Sequence, residues 1–272
     1  MTESPTGTGG QQQAPLLDTG VPQTARIWNY WLGGKDNFAI DRAVGDEIRA
    51  AFPEIVENAR LSRAFLVRAV RYLAGEAGIR QFLDIGTGLP TADNTHEVAQ
   101  AVAPESRIVY VDNDPLVLVH ARTLLTSSPE GVTDYVEADL RDPDSILREA
   151  ARTLDLSQPV ALMLMGVLGH IRDDDQALSI VRRLMEGLPS GSYLASYDGT
   201  NTSPAVVRAA EIWNQSANPT YHLRSPEQFA ARFEGMEPVE PGVVSVTRWR
   251  PDPSLPELPA EVDQYCGVGR KP

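Results

Sequence analysis

The feature that most constrains this chain is a repeat of short apolar runs and helical stretches through its middle. The apolar runs "QFLDIG", "RIVYVDND", "TDYVEADL" and "PVALMLMG" begin at Gln81, Arg107, Thr133 and Pro159, each 26 residues after the last, and "SYLASYDG" follows from Ser192. That spacing is the length of a strand plus a helix plus two turns. Helical patterns fill the gaps at Asn94–Val102, Leu116–Leu125, Ser145–Leu154 and Gln176–Leu188. The alternation predicts a Rossmann-like, doubly wound α/β fold with a mostly parallel sheet and helices on both faces. "LMLMG" is apolar throughout, as a central strand buried on both faces requires.

The flanks read differently. Residues 1–20 are rich in Gly, Thr, Gln and Pro and predict a disordered tail. Residues 21–78 form an N-terminal helical extension: an aromatic segment "ARIWNYWLGGKDNFAIDR" (Ala25–Arg42), broken at Gly33-Gly34, and a long helix over Ile55–Ala77. The α/β domain occupies 79–272, with a helical insertion at about 203–233 whose helices start after Ser203 and Ser225. "VVSVTRW" (Val243–Trp249) and "QYCGVGR" (Gln264–Arg270) predict a C-terminal antiparallel hairpin closing the sheet edge.

Composition narrows the function. Lys+Arg is 24 against 37 Asp+Glu, a net charge of −13, which opposes nonspecific binding to a nucleic-acid backbone. One cysteine, Cys266, makes neither an internal disulfide nor a multi-cysteine zinc site, and the four histidines lack ligand spacing. No apolar run reaches the roughly 20 residues of a membrane span. No secretory leader is evident, so a cytoplasmic protein without a nucleic-acid or membrane partner is expected.

"FLDIGTGLPT" (Phe82–Thr91) carries the chemistry. An apolar strand ends near Asp84, and Gly86 and Gly88 then allow a tight turn and close approach of a ligand to backbone. Asp112 ends the next strand, 28 residues on, where an acid commonly accepts hydrogen bonds from a ribose. Asp139 ends the third. The third glycine of a dinucleotide fingerprint falls at Thr91 and is absent. Asp84 beside the turn would repel a pyrophosphate, but it suits an amine or a sulfonium. The pattern favours S-adenosylmethionine over NAD.

"LDIGTG", "YVDNDP" and "EADLRDP" resemble the first three motifs of class I S-adenosylmethionine-dependent methyltransferases. With "ARIWNYWLGGKDNFAIDR" and "MGVLGHI", residues 22–272 resemble an actinobacterial family of S-adenosyl methyltransferases long catalogued as a domain of unknown function. Pro90 departs from the general pattern, standing where a third glycine often does. The resemblance implies that Asp84 lies near the methionine amine and that Gly86 and Gly88 pass under the cofactor. It places Asp112 on the ribose, Asn113 beside the adenine, and Asp139 and Leu140 against the adenine edge and face. Gly166 to His170 would face the methyl group, without the Pro-Pro-aromatic motif of many nucleobase-methylating enzymes.

His170 is the candidate general base, although a His capping the following turn fits the same position. "DDD" (Asp173–Asp175) reads as a helix start rather than a metal site. Trp28, Tyr30 and Trp31 either pack the N-terminal helix or close over the cofactor, with Gly33-Gly34 as hinge and Lys35 or Asp36 as polar contact. Tyr30, Lys35 and Arg63 therefore join the candidate cofactor residues, Arg63 as a partner for a carboxylate. Tyr197 and Asp198 are candidate acceptor-pocket residues. The expected activity is methyl transfer from S-adenosyl-L-methionine to an unidentified small-molecule acceptor. Two alternatives stay open: a noncatalytic sensor or partner protein that binds the same cofactor, and an NAD-dependent oxidoreductase.

Overall fold

A computed structural model of the chain describes residues 20–114, 117, 119–120, 126–254 and 256–272. Three helices come first: α1 (Thr24–Trp31), α2 (Ala39–Ala51) and α3 (Ile55–Gly75). Then follow β1 (Gln81–Ile85), α4 (Thr95–Val102), β2 (Arg107–Asp112), β3 (Val132–Glu137), α5 (Pro143–Ala150), β4 (Ala161–Met165), α6 (Asp174–Glu186) and β5 (Tyr193–Gly199). The chain ends with α7 (Pro204–Ser216), α8 (Pro226–Ala230), β6 (Glu237–Pro238), β7 (Val244–Ser245) and β8 (Gln264–Arg270). The expected tail and the expected helix at Leu116–Leu125 lie in or mostly in residues outside the described set.

The sheet runs β3-β2-β1-β4-β5-β8-β6, with β7 also on β8. The first five strands are parallel and β8 is antiparallel to β5. The chain moves outward from β1 through β2 to β3, then returns to the other side of β1 as β4. Strand order therefore reverses between β1 and β4, where open α/β sheets bind ligands at the strands' carboxyl ends.

The late strands differ from a plain hairpin. Only Val244–Ser245 of the expected Val243–Trp249 strand pairs, while β8 is flanked by β5 on one side and by two short strands on the other. Trp249 instead turns inward and is fully buried, its ring edge-on to Phe65 at 5.4 Å. Burial of a large apolar side chain outweighs continued pairing there.

Strand alternation sorts the core into two layers. Leu83, Ile85, Val109, Val111, Leu162 and Leu164 face α5 and α6. Phe82, Ile108, Met163 and Ala195 face α3 and α4. The long α3 turns Phe65, Leu66, Ala69, Val70 and Leu73 onto that second layer. A third cluster joins α1, α2 and α7 through Ile27, Trp31, Ile48, Phe52, Val206 and Trp213. Helix starts are fixed locally, as the sequence led us to expect: Ser203 accepts the Val206 N–H at 3.3 Å and Ser225 that of Gln228 at 3.2 Å. Among the described residues, no helix is long and apolar enough to cross a membrane.

Candidate functional site

The period of two decides which side chains meet at the sheet's carboxyl edge. Asp84 shares a face with Phe82, and Asp112 with Ile108 and Tyr110, so both carboxylates lie on the α3 and α4 side. Met165 pairs with Tyr197 on neighbouring strands of that same face. The turns after β1, β2 and β4 form the floor of a cleft above them.

Two glycines in that floor are required by geometry. Gly86 has φ +73°, and a Cβ there would sit 2.3 Å from the Val167 side chain. Gly166 has φ +79°, and its Cβ would press to 3.1 Å from the Tyr197 ring. The turns after β1 and β4 thus pass too close to each other and to β5 for a side chain.

The cleft concentrates unspent polarity. Asp84 is buried, and its Oδ2 accepts the Thr95 hydroxyl at 2.6 Å. Burial pushes its carboxyl up to about 6, against the opposing pull of the Thr95 hydrogen bond and the Arg63 charge. The half-buried Asp112 is also pushed up to about 6 by desolvation, although backbone N–H groups of Asp114 and Gly88 favour its charged form. Arg63 reaches from α3 to the Ala92 and Asp93 carbonyls at 3.1 and 2.8 Å, and its buried Nε has no hydrogen-bond partner among the described residues. The buried Thr24 Oγ1 has no partner among the described residues either, and both residues line the cleft.

His170 follows β4 in a short 3-10 turn and also lines the cleft. Its Nδ1 lies 2.9 Å from the Thr220 carbonyl, which can only accept, so Nδ1 carries the proton and Nε2 keeps a lone pair. Burial lowers its pKa from the ordinary value of 6.5. Its ring stands edge-on to Tyr221 at 5.1 Å. Tyr221 in turn donates to Asp198 at 2.9 Å.

Of the residues expected from sequence, Asp84, Gly86, Gly88, Asp112, Asn113, Asp139, Leu140, Gly166, Arg63 and His170 come together around this one cleft. Asp139 stands two residues beyond the end of β3 and pairs with Arg141 at 3.2 Å. Tyr30 and Lys35 do not line the cleft, which corrects that expectation. Tyr30 lies against Gly45 and donates to Asp46 at 2.8 Å, and Lys35 is exposed. The aromatic residue of α1 that lines the cleft is Trp28, beside Thr24, Ala25 and Asn29. Asn29 clamps the Gly33-Gly34 loop by accepting from the Asp36 N–H and the Asn37 amide at 3.0 and 2.9 Å.

Tyr197 lines the cleft, whereas Asp198 is buried against Arg232 at 2.7 Å on the sheet's other face. Asp173 caps α6 by accepting the Gln176 N–H at 2.7 Å, and Asp174 pairs with Arg224 at 2.8 Å. Asp173 and Asp174 of "DDD" are thus used in helix capping and ion pairing. Thr24 was missed by sequence reasoning, since a lone Thr at a helix start signals only the helix.

Comparison with known proteins gives the same direction. Residues 10–272 match a family model described as S-adenosyl methyltransferase. The chain is similar to a DUF574 family protein from Streptomyces avermitilis, at 48% identity over 94% of this chain and 99% of that one, with a TM-score of 0.89. It is also similar to a protein from Thermobifida fusca described as a candidate methyltransferase, at 43% identity over 96% and 98% of the two chains, with a TM-score of 0.86. Human N-acetylserotonin methyltransferase in complex with SAM shares the fold alone, at 14% identity over 93% of this chain and 63% of that one, with a TM-score of 0.50. No curated protein matches the chain.

Proposed function

Since the chain belongs to the S-adenosyl methyltransferase family, we propose that it methylates a small molecule held beside His170, at the methionine end of the cleft. It is an S-adenosylmethionine-dependent methyltransferase, and the residues around the cleft fit that cofactor. A zwitterionic amino-acid end needs an acid and a base close together. Asp84 supplies the acid for the ammonium group, and the unspent Arg63 Nε and Thr24 Oγ1 supply donors for the carboxylate. Asp112 takes the ribose hydroxyls, Asn113 and Asp139 flank the adenine edge, and Leu140 gives it an apolar face.

When bound, the cofactor supplies an electrophilic methyl group on a sulfonium and leaves as a neutral thioether. The protein's own task is to position the acceptor and to remove its proton. His170 Nε2 takes that proton, because the Thr220 carbonyl holds the other nitrogen as a donor. A lowered pKa keeps the ring neutral, and so basic, near pH 7. Trp28 of α1 forms part of the cover, which gives the N-terminal helices a role in shielding the site from water.

The observation that carries this reading is the continuity of one cleft from Asp112, past Asp84, to His170. Calorimetric titration with S-adenosylhomocysteine and with NAD, followed by an acceptor screen that reads S-adenosylhomocysteine release, tests it. Binding of NAD but not of S-adenosylhomocysteine would overturn the assignment of the cleft. Release driven only by protein or nucleic-acid fractions would overturn the small-molecule acceptor. Tight adenosyl binding with no turnover of any acceptor would favour the sensor alternative.

A further inference from the structure

The two oxygens of Asp84 stand in different surroundings. Oδ2 accepts the Thr95 hydroxyl at 2.6 Å, and the pair is buried, Asp84 being 4% and Thr95 1% exposed. Oδ1 takes no hydrogen bond from the described residues, yet it is not one of the buried polar atoms left without a partner. It is therefore open, and Asp84 lines the cleft. Holding one oxygen of a planar carboxylate fixes the direction of the other.

Thr95 reaches Asp84 from a helix start that is held without it. Asn94 caps α4, its own N–H donating to the Glu97 carboxylate at 2.7 Å. On the other side of Thr95, the His96 N–H donates to the Tyr110 hydroxyl at 2.8 Å. The Tyr110 ring in turn stacks on Tyr135, with centroids 5.6 Å apart. Thr95 thus keeps its place at the head of α4 whether or not it bonds Asp84, and its branched Cβ restricts the hydroxyl to few directions.

The hydroxyl bears on charge as well as on direction. Burial opposes a charged Asp84, and the titratable groups that act on it are Arg63 from α3, Asp112 and Tyr110 from β2, and Tyr197 from β5. Burial holds both tyrosines neutral. Asp112 works against the charge and Arg63 for it, and the Thr95 hydrogen bond favours the charged form more than Arg63 does.

We propose that Thr95 is a positioning residue of the cofactor site: by holding Asp84 Oδ2 it aims Oδ1 into the cleft as a charged acceptor for the ammonium group of S-adenosylmethionine. The inference rests on the reading of the cleft as the cofactor site. A valine at this position would fill nearly the same space and leave Oδ2 without its donor. The carboxyl would then keep its proton to higher pH and lose its fixed direction, and a neutral carboxyl does not pair with an ammonium group.

Calorimetric titration of the full chain with S-adenosylhomocysteine and with methylthioadenosine, from pH 5 to pH 8, tests this. Methylthioadenosine keeps the adenosyl group and the thioether but lacks the amino-acid end, so it reads Asp112 and the adenine contacts without Asp84. In the wild type, S-adenosylhomocysteine should lose affinity relative to methylthioadenosine as pH falls through about 6. Thr95→Val should weaken S-adenosylhomocysteine about tenfold at pH 7 and move that acid limb up by about one pH unit. Methylthioadenosine should stay within about twofold. Thr95→Ser, which keeps the hydroxyl, should restore most of both effects. Thr95→Ala is the second hydroxyl-free variant, should the Val protein fail to fold. If the hydroxyl-free variant weakens both ligands alike, or leaves the acid limb in place, Thr95 only supports the turn and the proposal falls. If wild-type binding of S-adenosylhomocysteine shows no such limb, the proposal falls and the cofactor reading stands. If S-adenosylhomocysteine itself fails to bind, the cofactor reading falls and takes this one with it.

Discussion

Asp112 Oδ2 accepts the backbone N–H of Gly88 at 3.0 Å, while its Oδ1 accepts that of Asp114 at 2.9 Å. One carboxylate therefore pins the turn after β1 to the tip of β2. The same oxygens keep lone pairs that can accept from a diol. Organisation of the turn and the proposed recognition of the ribose would then be joined in one side chain.

Removing that side chain should act on both. Hydrogen bonds to a charged group contribute about 1.5–3 kcal/mol each, so Asp112→Ala should weaken S-adenosylhomocysteine by about 10–100-fold. Asp112→Asn keeps one acceptor oxygen and should lose less. Calorimetry on the three proteins measures the ladder, and an unchanged affinity in the Ala variant would remove Asp112 from the site.

Asp84 sets a pH dependence whose sign is fixed by its elevated carboxyl. Its pKa is about 6 in the fold against an ordinary 3.8, so the folded protein binds this proton more tightly than the unfolded chain. Its contribution to the stability of the unliganded protein is fully present below about pH 4 and is lost as pH rises through about 6. Asp112 shifts in the same direction. Asp84→Asn should then stabilise the unliganded protein at pH 8 by about 1–3 kcal/mol and flatten this profile, while weakening S-adenosylmethionine. Urea unfolding at pH 5 and pH 8 reads the first effect. A variant less stable than wild type at pH 8 would show that the Thr95 contact outweighs desolvation.

With His170 as the proposed base, the burial that lowers its pKa should place the acid limb of kcat/KM below the ordinary 6.5. His170→Ala should cut kcat by about 10²–10⁴-fold and abolish that limb, with S-adenosylhomocysteine binding near wild type. Turnover that survives with an unaltered pH profile would assign His170 to packing against Tyr221.

The repeating architecture and the acids at its strand ends were legible because strand period and glycine turns are local signals. Asp84, Gly86, Gly88 and Asp112 fall within two short segments, and the sheet alone brings them together. What was not legible depends on distant packing. In α1, Trp28 and Tyr30 are two residues apart and so point in different directions. Gly45, on the next helix, receives the Tyr30 ring, and no pattern within α1 could say which aromatic would be left for the cleft. The same holds for β8, which pairs antiparallel with the short β7 as expected but also takes β5 on its other side. The sequence leaves Asp198 as either a pocket residue or a plain strand-end residue, and the partner that decides, Arg232, lies 34 positions on.

The last non-local device is the ion pair of Arg26 with Asp41, at 3.0 Å and almost wholly buried. Asp41 also accepts the N–H groups of Gln23 and Phe38 at 3.0 and 2.8 Å, so it fastens the start of α1 to the start of α2. Asp41→Ala would remove the buried carboxylate that accepts from Arg26, Gln23 and Phe38, at a cost of about 3–5 kcal/mol. The melting temperature should drop by about 6–20 °C. Because α1 carries Thr24 and Trp28 into the cleft, the variant that remains folded at low temperature should also bind S-adenosylhomocysteine more weakly. A fall in melting temperature with undiminished affinity would separate the two roles and reduce α1 to packing. Loss of both would make the Arg26–Asp41 pair the element that holds the cover over the cofactor.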